Sequence, residues 1–528
     1  MAFASLSVRQ YQYHLPGPYC FRISGQIYRN FNTAALPDED EQAKGGQLFF
    51  IDTHEALGIR QSKLKCDPKD TEMIHNYLLQ NNPYAKAYVM MKDEMNEQER
   101  IGLETGQEAK QIQLLFNLKT TADQRRYNLP QTNEVAAVFV PTSDGNVPAA
   151  HITVHERGKE VKNLQHIDPN VEPMLYPLLR PNGEQGWNVN MKTKSGKKLT
   201  QCDYINFHNQ YRRDKVLPNQ YEFNPLHYAD KLTHQWYVER WCCVEAERLL
   251  FIRLNQNKIK ATSYSGLQDY LNNTKEQLGA SIGRQIVLPS TYTGGPRYML
   301  NGYNDAMCIC SEFGIPDLFI TMTCDPTHPD ILKNIPSGDK PNNHPGICNR
   351  VFRQHCEKVL EVLNCKDKKK GGIFGRMTAF CYTIEFQKRG LPHMHLLLTV
   401  DEEGKKYLRD NVDEVLSARV CLCGDENCFI NARMIHGPCG LENPKCPCMK
   451  SRLCPDCNSK PKRDRPADCE DCAGMEKYCS KGFPQPFSEK TDLSGHGYAK
   501  LKAPIGESVK VGNRTIDNSM VVPHSPIW

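Results

Sequence analysis

Eleven of the chain's 23 cysteines fall within 59 residues: Cys421, Cys423, Cys428, Cys439, Cys446, Cys448, Cys454, Cys457, Cys469, Cys472 and Cys479. The remaining 12 are scattered over 469 residues at about a sevenfold lower density, as expected for small buried thiols. A segment so rich in thiols folds around disulfides or around metal. The start, Met1-Ala-Phe-Ala-Ser-Leu-Ser-Val-Arg, has no basic segment leading into a sustained apolar run, so a secretory signal is not expected. In a reducing compartment the thiols are then free or metal-bound. Cys454-Pro-Asp-Cys457 and Cys469-Glu-Asp-Cys472 form two knuckles 11 residues apart, where chance supplies about one such pair per chain of this composition. Four thiolates at this spacing can make a tetrahedral structural zinc site. Cys421, Cys423, Cys428 and Cys439, or Cys446 and Cys448, could supply another. Lys460, Lys462, Arg463 and Arg465 lie between the knuckles and form a basic loop suited to phosphate contacts.

The rest of the chain is built differently. At 528 residues, 39% hydrophobic and 24% charged, it is long enough for about three or four domains with real cores. The net charge is only +5, so any basic surface is local. No run approaches the roughly 18 apolar residues of a transmembrane helix. Residues 1–190 read as mixed α and β, with a strand over 134–140 and a turn at Ser143-Asp-Gly. A Lys-rich stretch, 192–200, reads as a loop or linker. Residues 200–315 read as a helical layer, with helices over Pro225 to Asn257, near 266–278 and over 298–313. From 316 to 420 strands dominate: Asp317 to Cys324, a helix over 347–364, then Met377 to Gln387 and His393 to Val400 around a Gly/Pro turn. The expected fold class is α+β on an antiparallel sheet, followed by a Cys-rich zinc-binding insertion over 421–482 and a last region over 483–528.

The hairpin carries the chemistry. Alternate residues of a strand share a face, so His393 and His395 point together and Met394 points to a core. If Gln387 opposes His393, then Glu385 opposes His395 on that same face. Two imidazoles with a carboxylate or amide oxygen suit Mg²⁺ or Mn²⁺ with open positions for a phosphate. The His-x-His pattern alone decides little, since 17 histidines give about half an occurrence by chance. Its setting decides more: an acidic residue on the predicted face, a basic turn at Lys388 and Arg389, and a polar strand end at Thr323-Cys-Asp325.

The segment Glu385-Phe-Gln-Lys-Arg-Gly-Leu-Pro-His-Met-His395 resembles the histidine–hydrophobe–histidine (HUH) motif of rolling-circle replication initiators and, more narrowly, the Helitron transposases. The resemblance extends to Phe21-Arg-Ile-Ser-Gly-Gln-Ile-Tyr28, Leu288-Pro-Ser-Thr-Tyr-Thr-Gly-Gly-Pro-Arg-Tyr-Met299, Asp317-Leu-Phe-Ile-Thr-Met-Thr-Cys324, His436-Gly-Pro-Cys439 and Cys479-Ser-Lys-Gly-Phe-Pro484. It implies a Rep-type single-strand DNA endonuclease over 316–420, joined in intact elements to a C-terminal helicase. His393 and His395 carry over as metal ligands, Glu385 as the third ligand and Gln387 as its substitute; Lys388, Arg389, Lys462 and Arg463 are candidate DNA contacts. In such enzymes a tyrosine attacks the metal-oriented phosphate.

The family's paired tyrosines are expected beyond Trp528, and no phosphate-binding G-x-x-x-x-G-K-[ST] loop occurs in the chain. No catalytic tyrosine is therefore expected within the 528 residues; Tyr407 is the nearest candidate, in surroundings unlike the family motif. The expected function is the endonuclease portion of a Helitron-type transposon protein, binding single-stranded DNA and Mg²⁺ or Mn²⁺ in rolling-circle transposition, with structural Zn²⁺. Expected partners are single-stranded DNA and a separate helicase or intact transposase copy, in the nucleus and without a membrane. The alternative is a non-enzymatic, zinc-stabilised nucleic-acid-binding remnant of a transposon.

Overall fold

A computed structural model describes residues 1–10, 23–63, 66–118, 136–139, 150–157, 161–216, 221–256, 286–364, 372–387, 390–425, 428–459, 469–473, 475–494 and 499–526. The chain is α+β, with several small antiparallel sheets. Two compact units comprise Met1–Tyr303, Thr323–Arg353 and Ile384–His393 in one, and Asn304–Met322, Gln354–Thr383 and Met394–Trp528 in the other.

In the first unit, β1 (Ala4–Gln10) and β2 (Ile23–Asn32) pair antiparallel. Helices α1 (Thr53–Lys63), α2 (Pro68–Asn81) and α3 (Pro83–Thr105) follow. The starts of α2 and α3 are written in the sequence. Asp67 and Asn82 accept hydrogen bonds from the first backbone N–H groups, and a proline at the first helical position gives up none that it needs. Strands β3 (Gln113–Leu118), β4 (Ala136–Phe139) and β5 (Ala150–His155) form a second sheet in the order β4-β3-β5, while β6 (Val161–Asn163) extends β2. The expected strand at 134–140 is thus β4. Helices α4 (Val171–Leu175), α5 (Gln201–Asn209) and α6 (Lys231–Leu254) complete the unit. Phe3, Phe31, Phe49, Tyr84, Phe116 and Trp236 belong to one buried cluster, which draws on both sheets and on α3 and α6.

A buried ionic network accompanies that core. Glu172 accepts from Arg180 Nε at 2.8 Å and from Trp236 Nε1 at 3.0 Å. Glu239 accepts from Arg29 Nε at 2.7 Å and from Arg240 Nε at 2.6 Å. Burial opposes the ionisation of Glu239, but Arg240 and Arg29 outweigh it and hold the carboxyl at about 2.

Buried histidines make this unit acid-sensitive. Burial, assisted by Arg60, lowers His75 to about 4, and its Nδ1 accepts from Arg60 Nη1 at 2.9 Å. Burial likewise lowers His208 and His227 to about 4. An unfolded imidazole titrates near 6.5, so between that pH and about 4 the unfolded chain binds more protons and stability falls as the pH is lowered. At pH 5 the loss is about 2 kcal/mol for each of His75 and His227, fully established only below pH 4. Urea unfolding at pH 7 and pH 5 should show this decline, with His227→Gln reducing it; a stability independent of pH over that range would mean that the imidazoles are not buried neutral.

Helix α7 (Pro296–Phe313) corresponds to the helix expected over 298–313, but it is not the core layer that its apolar pattern suggested. None of its residues is buried, and Tyr298, Met299, Leu300, Tyr303, Met307 and Phe313 are exposed. Periodicity specifies that a face exists, not that something covers it. The expected helix near 266–278 lies outside the described residues.

Next come β7 (Leu318–Thr323), α8 (Pro345–Leu363), β8 (Met377–Phe386) and β9 (Pro392–Val400). The three strands form one sheet in the order β7-β9-β8. Met394, Leu396 and Leu398 on β9 are buried, which is why the central strand reads as nearly continuous apolar sequence. Helix α9 (Glu402–Asp410) starts at Asp401, whose side chain accepts from the Gly404 N–H. Two short ladders follow, β10 (Met449–Ser451) with β11 (Lys477–Cys479) and β12 (Ser508–Val511) with β13 (Arg514–Asp517). Among the described residues the buried cluster here is Val420, Ile516 and Val521, with Ile435, Val509, Val511 and Met520 packed against it; so small an apolar core contributes little to ordering the Cys-rich segment.

Candidate metal centre

The sheet brings the predicted hairpin residues together. The ligand atoms of Glu385, His393 and His395 all lie within 4.8 Å of one another, with Glu385 exposed, His395 half-buried and His393 buried. The expected shared face is present, but the expected register is off by two residues. The Gln387 N–H donates to the Leu391 carbonyl at 3.1 Å, and the Gly390 N–H donates back to the Gln387 carbonyl at 2.7 Å. Gly390 sits at φ +78°, a conformation that favours glycine. Gln387 therefore opposes Leu391, and Glu385 opposes His393 rather than His395. A shift of two preserves the face, because side chains alternate with a period of two.

Three residues of β7, outside the hairpin, complete the surroundings. Thr323 Oγ1 lies 2.7 Å from His393 Nδ1, and Thr321 Oγ1 lies 3.2 Å from His395 Nδ1. Gln387 Nε2 is also 3.3 Å from His393 Nδ1. The Phe319 ring stacks on His395, with centroids 5.4 Å apart and planes 10° apart. Phe319, Thr321 and Thr323 are alternate residues of β7, so the signal for them was in the sequence; only the pairing partner of that strand was missing. Sequence reasoning singled out the polar end at Thr323 but not Thr321 or Phe319.

Lys388, Arg389, Lys462 and Arg463 lie outside the described residues. Tyr407 is on α9 and half-exposed.

The four knuckle cysteines also converge: Cys454, Cys457, Cys469 and Cys472 hold their sulfurs within 4.8 Å of one another. The sulfur of Cys454 is 3.9 Å from that of Cys469 and 3.5 Å from that of Cys472. A zinc tetrahedron with Zn–S bonds of about 2.3 Å has S···S edges of about 3.8 Å, so the donor set fits zinc. The Cys457 N–H points at the Cys454 sulfur at 3.4 Å and draws that thiol below its ordinary value, while burial and the neighbouring sulfurs push Cys457 up to about 12. Cys421, Cys423 and Cys428 form a three-thiol group of their own. Cys439 does not join them; it groups with Cys448, Cys479 and His436, while Cys446, whose sulfur touches that of Cys448 at 3.3 Å, is not part of that group. These Cys/His clusters could hold a metal such as zinc.

The profile described as the Helitron helicase-like domain at the N-terminus matches residues 212–398. The chain carries a Helitron helicase-like domain. The matched span runs from before α6 to Leu398 on β9 and so includes Glu385, His393 and His395, while the thiol clusters lie outside it. No curated protein matches the chain. A Helitron-like domain points to a transposon-related protein associated with nucleic acid. Among the described residues no helix is long and apolar enough to cross a membrane.

Proposed function

We propose that this chain is the Rep-type (HUH) single-strand DNA endonuclease portion of a Helitron-type transposon protein. The observation that carries the reading is the convergence of Glu385, His393 and His395 on one face of a hairpin, inside the span matched by the Helitron-like domain. The two imidazoles and the Glu385 carboxylate, with Gln387 as its substitute, would hold Mg²⁺ or Mn²⁺. When bound, such an ion orients and polarises a phosphate. Thr323 and Thr321, at the Nδ1 atoms of His393 and His395, fix the planes of the two rings, as hydroxyls and carbonyls behind metal-binding histidines do. Lys388, Arg389, Lys462 and Arg463 are proposed to contact the DNA backbone, and Cys454, Cys457, Cys469 and Cys472 to hold a structural zinc. Single-stranded DNA is the proposed partner, together with a separate helicase or an intact transposase copy, in the nucleus.

Strand transfer needs a tyrosine oxygen as nucleophile, and we assign that role to no tyrosine of this chain. The 528-residue protein should bind Mn²⁺ and a single-stranded oligonucleotide without forming a covalent adduct. His393→Ala should abolish Mn²⁺ binding, read by electron paramagnetic resonance, and Thr323→Val should weaken it by about tenfold. Mn²⁺ binding unchanged in His393→Ala would refute the hairpin centre, and an adduct mapped to any tyrosine would refute the missing nucleophile. The second reading, a zinc-stabilised nucleic-acid-binding remnant, draws on the thiol clusters alone; it gains if DNA binding persists with no Mn²⁺ dependence.

A further inference from the structure

We infer that His436, Cys439, Cys448 and Cys479 form a second structural zinc site, of the three-sulfur, one-nitrogen type, separate from the four-thiol knuckle site. It does not depend on the endonuclease reading. The four ligand atoms lie within 4.8 Å of one another, Cys439 and Cys479 being buried and His436 and Cys448 half-buried. The Cys479 sulfur is 3.5 Å from His436 Nε2. In a zinc tetrahedron with Zn–S of about 2.3 Å and Zn–N of about 2.0–2.1 Å, an S···N edge is about 3.5 Å. The spacing is thus that of two ligands on one ion.

The backbone around these residues is already braced. Cys479 is the last residue of β11 and opposes Met449, the first of β10, so Cys448 lies directly before the ladder. The Ser480 N–H donates to the Cys448 carbonyl at 2.8 Å and continues that pairing. His436 is held from two sides. Its N–H donates to the Met520 carbonyl at 2.8 Å, and its ring stacks on Phe483 with centroids 4.3 Å and planes 6° apart. A ring fixed in plane by an aromatic neighbour and in position by its own backbone presents Nε2 in one direction, as a closed structural site requires.

The ion would tie together three stretches that the small apolar core leaves loosely held: 434–440, the β10–β11 ladder and the segment after Cys479. Through His436 it would also reach 518–522, because Val521 bridges Ile435 and the Val522 N–H donates to the Met434 carbonyl at 2.7 Å. Four protein ligands leave no open position, so this zinc is structural and takes no substrate. Cys446, whose sulfur lies 3.3 Å from that of Cys448, falls outside the group and is the natural control.

The test is zinc stoichiometry of the full 528-residue chain by elemental mass spectrometry, combined with Co²⁺ substitution. The variant carrying Cys439→Ser and Cys479→Ser should lose one equivalent of zinc, while Cys446→Ser loses none. The variant carrying Cys454→Ser and Cys457→Ser should lose a different equivalent, so the two sites stand or fall separately. Loss of metal through general unfolding is distinguished by His436→Cys, which keeps four ligands. It should retain zinc and, loaded with Co²⁺, move the visible absorption towards that of a four-sulfur site. Full zinc content in Cys439→Ser with Cys479→Ser, or a Co²⁺ spectrum unmoved by His436→Cys, would overturn the assignment.

Discussion

Glu239→Ala is expected to lower the stability of the first unit by roughly 3–5 kcal/mol, because removing one member of a buried ion network leaves an excess of buried positive charge. Glu239 is fully buried and accepts from Arg29 and Arg240, each of which is also buried. The deletion takes the Glu239 carboxylate from Arg29 and leaves Arg240 with Glu172 at 3.7 Å, and neither guanidinium can neutralise itself by losing a proton. Glu239→Gln keeps an acceptor oxygen and should cost less. Denaturant unfolding followed through the buried Trp236 gives the measurement. A change below about 1 kcal/mol for Glu239→Ala would mean that water reaches the network.

Stripping zinc should have the next largest effect, confined to the other end of the chain. Among the described residues the buried apolar cluster here is small, Val420, Ile516 and Val521, so metal–thiolate bonds would supply folding free energy that this packing does not. A strong chelator should open 421–479 to protease while 225–400 stays resistant. Acidification should act in the same direction: the sulfurs bind zinc as thiolates, so protons compete with the metal and zinc affinity falls as pH falls. Equal protease resistance with and without chelator would show that the segment holds itself together without metal.

Local features of the sheet were legible in the sequence to within a residue or two. The expected strands over 317–324 and 377–387 appear as Leu318–Thr323 and Met377–Phe386, and the expected helix over 347–364 appears as Pro345–Leu363. Alternation and Gly/Pro punctuation are properties of neighbouring residues, so one sequence suffices to read them. What was not legible depends on distant partners. Arg29 and Glu239 are 210 positions apart, and His436 meets Cys479 across 43; no spacing rule joins them. Thr321 and Thr323 were visible as one face of a strand, but their place beside the histidines follows from β9 lying between β7 and β8. The apolar face of α7 misled because its periodicity carries no information about what, if anything, packs on it.

Gly390 works as the zero mark of a ruler. Nothing lies within 4 Å of where its Cβ would be, so the demand for glycine comes from the backbone angle alone. That angle closes the turn on Gln387 and Leu391 and so sets the register of β8 against β9 next to the turn, where Glu385 and His393 lie. A slip by one residue would turn Glu385 to the opposite face of the sheet; a slip by two would keep the face but move it about 7 Å along β9, opposite His395 in one direction and opposite Leu391, away from both imidazoles, in the other. Packing offers β8 little correction, since Phe380, Tyr382, Ile384 and Phe386 are all exposed. The distance between a carboxylate and two imidazoles is therefore set by a residue with no side chain, several positions away from any of them.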